Sequence, residues 1–243
     1  MSIPKVLVTI CCYNHGNYLE ESVKSIASQT YQNLDICIVD DGSDPAQEIS
    51  NILDNLESQD KRIRSIRLKE NRGKWFGLNE AIRTSSAELC TSHDADDVSL
   101  KDRIERQIKC LIQTQTLHNL CGFHHCWSES DVSSTVELYN SPDALSIISA
   151  DEVSRAVMFG KQTPGINHYF TGDFETAGVS ALFYRQIWAM GIRFNPPGLG
   201  LRTLLSEDSD FNFRVTSLLQ RTSILAEKPY CYRRNTSTNQ ELS

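Results

Sequence analysis

No apolar run in this sequence of 243 residues approaches the roughly 20 residues that a helix needs to cross a bilayer. The first residues show no signal-peptide pattern, because the apolar run at 6–12 is too short for one. Basic residues are in deficit, with 24 Lys and Arg against 31 Asp and Glu and a net charge of −7. A surface that binds nucleic acid is normally basic, so this balance argues against nucleic acid as a partner. We therefore expect a cytoplasmic protein without a transmembrane segment, for which peripheral membrane contact stays open.

Cysteine is plentiful, with eight residues, but its placement does not indicate disulfides. Cys11, Cys12, Cys37 and Cys90 lie in or beside strand-like apolar runs, where a free thiol acts as a small buried hydrophobe. Without a secretory signal, we expect reduced thiols. The run of Cys and His at 121–126 invites a zinc interpretation, but its spacing fits no common structural zinc pattern. Alternation along a strand explains that run more simply.

Strands and helices alternate through the first half of the chain. Buried strands are predicted at 5–12, 34–39, 63–68 and 88–91, with amphipathic helices after each of them. This alternation specifies an α/β fold with a doubly wound, mostly parallel sheet flanked by helices. The second half is less regular: strands are predicted at 120–127, 179–184, 222–225 and 229–232, helices at 151–159 and after 206, and loops at 161–174 and 194–206.

Three carboxylates follow the fourth predicted strand, at Asp94, Asp96 and Asp97. Ligands bind at the carboxyl ends of the strands in open α/β sheets, and crowded carboxylates there need a positive charge between them. Mg²⁺ typically takes one or two carboxylates plus substrate phosphates, so the stretch predicts a metal-diphosphate site. The alternative is that these acids cap the next helix. However, Ser99 with Asp102 resembles a capping box of its own, which leaves Asp94 and Asp96 spare.

Several short stretches together resemble one family. They are the first strand running into Tyr13-Asn14, Gln29-Thr30-Tyr31, Asp40-Asp41-Gly42-Ser43, Asn71-Arg72-Gly73 with Asn79 and Ala81, and Asp94-Ala95-Asp96-Asp97. Their order and spacing over residues 5–112 resemble glycosyltransferase family 2. Glu207-Asp208, at the head of a predicted helix, resembles the Glu-Asp motif of that family, and the C-terminal match is looser.

The resemblance implies a GT-A fold in a single domain over 1–243, with a nucleotide-sugar-binding half at 1–112 and an acceptor-binding half at 113–243. It implies an inverting glycosyltransferase of the hexosyltransferase type that moves one sugar from a nucleotide sugar, expected to be a UDP-sugar, to a hydroxyl of a saccharide or other acceptor. The implied cofactor is Mn²⁺ or Mg²⁺, and the implied setting is the synthesis of cell-surface polysaccharide.

Roles carry over from the family residue by residue. Tyr13 belongs to the donor-binding part, Asp40 resembles the carboxylate that hydrogen-bonds uracil, Arg72 a base-contacting arginine, Asp94 the ribose-side acid, Asp96 the metal ligand and Asp208 the catalytic base. The processive members carry a Gln-x-x-Arg-Trp pattern and membrane helices, and this sequence has neither. We therefore expect single additions rather than polymer synthesis.

Other interpretations stay open at this stage. Acids in the first turn of a helix are common, so Glu207 and Asp208 could simply decorate a helix end. Asp40 could serve a turn, and Arg72 could be a surface arginine. At the level of function, the alternatives are a catalytically silent nucleotide- or carbohydrate-binding module and a sugar nucleotidyltransferase. The latter normally has a Gly-rich phosphate loop after its first strand, whereas this sequence has a single glycine there, Gly16.

Overall fold

The computed structural model describes residues 3–138, 168–171, 174–196, 206–219, 222–225 and 228–234. Its strands are β1 (Val6–Cys12), β2 (Leu34–Asp40), β3 (Ile63–Arg67), β4 (Leu89–Asp94), β5 (Val98–Ser99), β6 (His118–Cys121), β7 (His124–Cys126), β8 (His168–Thr171), β9 (Phe174–Ala177), β10 (Leu182–Tyr184), β11 (Ser223–Leu225) and β12 (Tyr230–Arg233). Its α-helices are α1 (Gly16–Ala27), α2 (Ile49–Gln59), α3 (Lys74–Thr84), α4 (Arg103–Thr114), α5 (Glu129–Leu138), α6 (Arg185–Ala189) and α7 (Glu207–Leu219).

A seven-stranded sheet in the order β11-β6-β10-β4-β1-β2-β3 forms the centre of the fold. Its strands run parallel except β10, which is antiparallel to both β4 and β6. A second sheet has the order β5-β12-β7, and β8 pairs with β9 alone. The predicted α/β class with a mostly parallel, doubly wound sheet is therefore confirmed.

Both faces of the central sheet are covered by helices, as expected for strands that are apolar at nearly every position. Val8 and Ile10 of β1 pack with Val23 of α1, whereas Leu7 packs on the opposite face with Leu78 of α3. Gly77 lets α3 approach the sheet closely, since a Cβ there would lie 3.0 Å from Cys11 Sγ and Val39 Cγ1. Helices α1 and α3 thus pack on opposite faces of β1 and hold the carboxyl end of this strand in place.

The carboxyl ends of the three central parallel strands lie at one level. In the strand register, Cys12 pairs with Asp40 of β2, and Cys11 pairs with Asp94 of β4. Because these strands are neighbours, the loops that follow them meet at one edge of the sheet. Residues that were separated by tens of positions in the chain are thereby brought to one site.

Helix α4 is positioned by the Gln29-Thr30-Tyr31 stretch. The buried Gln29 amide donates to the Leu100 carbonyl at 2.7 Å, and its side-chain oxygen accepts from the Ile104 N–H at 3.1 Å. The predicted Ser99 capping box is wrong, because Ser99 lies in β5 and the helix begins at Arg103 without a side-chain cap. The reason first given for calling Asp94 and Asp96 spare therefore fails, but both residues lie more than one turn before the observed start at Arg103 and do not cap this helix.

Three other predicted elements change in the structure. The single strand expected over 120–127 is two short strands, β6 and β7, which belong to different sheets. The strand expected over 179–184 begins with a 3₁₀ turn and becomes β10 only at Leu182. The loop expected over 161–174 contains β8, which pairs with β9. The predicted helix at 151–159 and much of the predicted loop at 194–206 lie outside the described residues.

The cysteines follow the prediction: all eight are free, and Cys11 is the one that is half-buried rather than buried. Burial raises the pKa of Cys12, Cys37 and Cys90 to about 12 in each case, so these thiols stay protonated. Among the described residues no helix is long and apolar enough to span a membrane.

Candidate active site

A cleft of about 280 Å³ opens at the edge where the strand ends meet. Three of the predicted site residues line it: Tyr13 after β1, Asp94 at the end of β4, and Asp96. Lys74 and Tyr232 line it as well. Asp40, Arg72 and Asp208 are not among the residues that line this cleft. The structure thus brings Tyr13, Asp94 and Asp96 together in one cleft, whereas Asp40 and Arg72 are the chain neighbours of two lining residues, Asp41 and Gly73.

The carboxylates of Asp94, Asp96 and Asp97 are close enough for one cation, since the atoms they offer lie within 4.8 Å of one another. The three residues are not equivalent. Asp94 and Asp96 are partly exposed and line the cleft, whereas Asp97 is fully buried. Oxygen ligands of this kind suit a hard divalent cation that also takes phosphate oxygens. The donor set therefore fits Mn²⁺ or Mg²⁺ on Asp96, with Asp94 beside it.

Asp97 serves the fold rather than the cleft. Its Oδ2 accepts a hydrogen bond from the Tyr230 hydroxyl at 2.6 Å, and its Oδ1 accepts one from the Arg233 N–H at 2.7 Å. Burial, with Asp96 and Asp94 nearby, raises the pKa of Asp97 well above its usual range. This carboxyl group ties β12 to the end of β4, so that Tyr232 reaches the cleft wall.

Arg233 strengthens the same connection. Its guanidinium donates to the backbone carbonyl of Asp96, to Glu21 of α1 at 2.6 Å and to Glu129 of α5 at 3.0 Å. Its side chain is only 3% exposed, so this guanidinium lies inside the protein, behind the acidic loop, and not in the solvent. The backbone of the acidic loop is therefore fixed from the C-terminal part of the chain.

The loop after β2 is built around two acids with different partners. Asp41 accepts hydrogen bonds from the N–H groups of Arg72 and Gly73, both at 2.8 Å, and it lines the cleft. Asp40 is buried, and its Oδ1 accepts from the Ser43 N–H at 3.0 Å. Gly42 has φ +73°, and a Cβ there would lie 2.4 Å from the backbone carbon of Glu70, so this position requires glycine. Asp41 thus holds the 71–73 turn, and Oδ2 of Asp40 has no hydrogen-bond partner within the described part of the chain.

Tyr13 and Arg72 flank the same loop. Tyr13 is 45% exposed, and the neighbouring Asn14 joins the β1 and β2 loops by accepting from the Asp44 N–H at 2.8 Å. The Arg72 guanidinium carbon lies 3.8 Å from the centre of the Phe76 ring. A guanidinium stacked in this way is pre-ordered to stack on or hydrogen-bond a base. The roles predicted for both residues stay predictions.

The acids at the start of α7 point in different directions. Glu207 Oε1 lies 3.6 Å from Lys74 Nζ. Asp208 is buried, and its Oδ1 accepts hydrogen bonds from the Ser206 hydroxyl and, at 2.7 Å, from the Ser209 N–H. Burial, together with Asp208 and Asp94, raises the pKa of Glu207, and Lys74 opposes that increase. Asp208 could serve only to hydrogen-bond groups at the start of α7, or it could act in catalysis. Its assignment as the base therefore stays a prediction.

Sequence reasoning did not single out Lys74, which the structure places at the centre of the site. Its ammonium lies 2.6 Å from Asp94 Oδ1. Burial alone would lower the pKa of Lys74, but Asp94, Glu207 and Asp208 outweigh it and raise that pKa well above the usual range. The only signal in the sequence is its position directly after the Asn71-Arg72-Gly73 turn.

A zinc site at 121–126 gains no support from the structure. In the portion of the chain that the structure covers, the group of His, Cys, Asp and Glu placed to share a metal is Asp94, Asp96 and Asp97. His125 instead receives a hydrogen bond from Arg234 at 3.0 Å and stacks on Trp127.

Residues 7–177 match the model of the family described as Glycosyl transferase family 2. A curated Haemophilus influenzae protein named "Uncharacterized glycosyltransferase" is 24% identical over 152 residues, which is 63% of this chain and 60% of that protein. The Bacillus subtilis protein named "Putative teichuronic acid biosynthesis glycosyltransferase TuaG" is 23% identical over 214 residues, which is 88% of this chain and 82% of that protein. The chain therefore spans less than two thirds of the first relative and most of the second.

Solved structures share the fold at low sequence identity. S. aureus TarS in complex with UDP has a TM-score of 0.64 at 16% identity, covering 95% of this chain and 60% of that chain. "Mannosyltransferase PcManGT from Pyrobaculum calidifontis in complex with GDP-Man and Mn2+" has a TM-score of 0.61 at 19% identity, covering 96% of this chain and 57% of that chain. These likenesses confirm the predicted GT-A fold.

Proposed function

The chain belongs to glycosyl transferase family 2, and we propose that it is an inverting glycosyltransferase that adds one sugar at a time from a UDP-sugar to an acceptor hydroxyl. The observation that carries this proposal is the pair of cleft-facing carboxylates, Asp94 and Asp96, at the end of the central strand β4. A nucleotide-sugar donor is also supported by the solved neighbours, which were determined in complex with UDP, UDP-GlcNAc or GDP-Man.

Donor binding would use the first half of the chain. The second carboxylate oxygen of the buried Asp40 would accept the ring N–H of uracil, and Arg72 and Tyr13 would contact the base from the loop surface. Asp94 would contact the ribose, and Asp96 would hold a divalent cation on the diphosphate. When bound, that cation supplies Lewis-acid stabilisation of the charge on the departing nucleoside diphosphate.

The acceptor side would use α7. Inversion requires the acceptor oxygen to attack the anomeric carbon opposite the bond to the diphosphate, which takes that bond's electron pair as it leaves. The proton of the acceptor hydroxyl must go to a nearby base, and Asp208 is proposed for that role. Glu207, the residue before Asp208, lies 3.6 Å from the Lys74 ammonium, which also pairs with the donor-side acid Asp94.

The remaining parts of the proposal concern the setting. We propose a single GT-A domain over the chain, non-processive transfer, a saccharide or other hydroxyl acceptor, and a location in the cytoplasm. The proposed setting in cell-surface polysaccharide synthesis is suggested by the Bacillus subtilis relative, which is named a putative teichuronic acid biosynthesis glycosyltransferase. Product analysis on an acceptor should show single additions, and a ladder of long polymers would contradict non-processive transfer.

The metal assignment can be tested by calorimetry of UDP binding with and without Mn²⁺. We expect Asp96→Ala to lose the Mn²⁺-dependent part of UDP binding while its circular dichroism spectrum stays unchanged. Asp54→Ala is the matched control, because it removes an exposed carboxylate that pairs with Arg67 on the surface. If Asp96→Ala binds UDP and Mn²⁺ as the parent does, the cation is held elsewhere.

Turnover separates the proposal from its two alternatives. A silent module would bind UDP but release no sugar, and a nucleotidyltransferase would make a sugar nucleotide and pyrophosphate from UTP and a sugar phosphate. The proposed enzyme should instead release UDP from a UDP-sugar, with water or a sugar as acceptor.

The base assignment is tested by Asp208→Asn, which keeps an acceptor oxygen for Ser206 and Ser209 but removes proton-accepting power. General base catalysis is typically worth about 10²–10⁴ in rate, so we expect kcat to fall by about that factor with UDP affinity nearly unchanged. Glu207→Gln is the comparison, and it should be the less damaged variant. If Asp208→Asn keeps full kcat, the base lies elsewhere.

A further inference from the structure

The ammonium group of Lys74 lies between two parts of the site that are far apart in the chain. Its Nζ is 2.6 Å from Asp94 Oδ1, at the end of β4, and 3.6 Å from Glu207 Oε1, at the start of α7. The three side chains are partly buried, with exposed fractions of 26% for Lys74, 24% for Asp94 and 15% for Glu207. One lysine thus contacts both the donor-side acid and the helix that carries the proposed base.

The backbone directly before Lys74 is held in one conformation, which fixes the position from which its side chain extends. Lys74 is the first residue of α3, and the preceding Gly73 has φ +89°, a conformation that favours glycine. The Gly73 N–H is fixed by the Asp41 carboxylate. The turn that Asp41 organises therefore also aims Lys74 into the cleft.

The charges of this region would repel one another without Lys74. Asp94 and Glu207 both lie within 3.6 Å of the Lys74 ammonium, and these two carboxylates together with Asp208 raise the pKa of Lys74. Like charges in a partly buried site interact more strongly than in water. Removing the ammonium would therefore push the start of α7 away from Asp94.

We propose that Lys74 is a positioning residue that holds Glu207, and with it the first turn of α7 and Asp208, against the donor-side acid Asp94. This inference rests on the proposed function, because it assigns the geometry of the acceptor side to a residue in the nucleotide-binding half. Lys74 acts through Glu207, so the effects of changing the two residues overlap rather than multiply.

A double-mutant cycle tests this overlap. The rate of UDP or GDP release is measured with UDP-glucose, UDP-GlcNAc and GDP-mannose, with water as acceptor, and the substrate that the parent protein turns over fastest is used. We expect Lys74→Met to lower kcat by about 10–100-fold, with a much smaller change in donor KM, because a misplaced group costs rate rather than binding. In a Glu207→Gln background, the same change should cost less than about threefold.

Hydrogen exchange gives a readout that does not depend on turnover. Amides at 206–212 should exchange faster than in the parent in both Lys74→Met and Glu207→Gln. In the double variant they should exchange no faster than in either single variant. Lys24→Met is the matched control, because it breaks an exposed ion pair with Glu20 and leaves this region alone. If Lys74→Met does not fold by circular dichroism, Lys74→Gln takes its place in both arms.

Independent effects would overturn the inference: the two kcat losses multiply, or exchange at 206–212 stays at the parent level in the Lys74 variant. Failure of the proposed function looks different. In that case the parent binds neither UDP nor GDP and turns over none of the three donors, and the exchange measurement alone decides whether Lys74 holds α7.

Discussion

The hydroxyl group of Tyr230 offers a direct test of how the acidic loop is held. Tyr230 is fully buried, donates to Asp97 Oδ2 at 2.6 Å and accepts from the Asp94 N–H at 3.3 Å. Burial and the Asp97 carboxyl raise the pKa of Tyr230 well above its usual range, so the hydroxyl keeps its proton. The change Tyr230→Phe removes these hydrogen bonds and little else.

The expected loss follows from what remains behind. A hydrogen bond to a charged group typically contributes about 1.5–3 kcal/mol, and a buried acceptor left without its partner costs a similar amount. Asp97 keeps the bond from the Arg233 N–H, so we expect the free energy of unfolding to fall by about 2 kcal/mol at neutral pH. The hydroxyl stabilises the ionised carboxylate, so the loss should be larger at pH 8 than at pH 5.

Urea unfolding followed by circular dichroism measures this difference. Tyr184→Phe is the control, since its hydroxyl makes no hydrogen bond with the described residues, and its effect should stay within about 0.5 kcal/mol. A Tyr230→Phe variant as stable as the parent at both pH values would refute the view that Asp97 anchors β12. The same variant should also weaken Mn²⁺-dependent UDP binding, because Asp96 lies next to the anchored residue.

Two further predictions concern the base pocket and a buried histidine. The parent should bind UDP more tightly than CDP or ADP, because a site built for the uracil N–H penalises bases that lack it. Competition calorimetry should show that Asp40→Ala loses this preference. Equal affinities of the parent for the three nucleotides would exclude this role for Asp40. Burial lowers the pKa of His118 from 6.5 to about 4, so the native state resists protonation, and stability that is fully present above pH 6.5 is lost as the pH falls toward 4. This loss of unfolding free energy approaches about 3 kcal/mol at its limit. Urea unfolding at pH 7 and pH 4.5 should show that the free energy of unfolding falls less between these pH values in His118→Gln than in the parent. An equal fall in both proteins would contradict the prediction for His118.

The first half of the fold could be predicted because its signals are local. Nearly continuous apolar runs such as Leu34–Asp40 give buried parallel strands, and the polar residues that end them mark the ligand-binding edge. Helix starts were less predictable: Ser99 has the sequence of a cap, but pairing of β5 with β12 draws it into a strand. Strand pairing to a segment that lies far along the chain overrides a local preference.

The same limit applies to Cys121 and His124. The alternating run at 120–127 looks like one strand, yet β6 pairs with β10 and β11, whereas β7 pairs with β12. The two parts of this short segment therefore belong to different sheets, and the strand is interrupted at Gly122-Phe123. Such a break depends on partners from the last part of the chain, which local periodicity does not contain.

The acidic residues at 94–97 show why the location of a site can be predicted from sequence while the role of each residue in it cannot. Asp94, Asp96 and Asp97 look alike in the chain, but their partners differ: Lys74 for Asp94, and Tyr230 with the Arg233 backbone for Asp97. The residues bound to Asp97 come 133 and 136 positions later in the sequence. Because Asp97 is bound on both oxygens inside the fold, Asp94 and Asp96 are the two of these carboxylates that line the cleft where a cation could bind. The assignment of the metal to Asp96 stays a prediction, because the family resemblance suggested it and the partners of the neighbouring acids do not decide it.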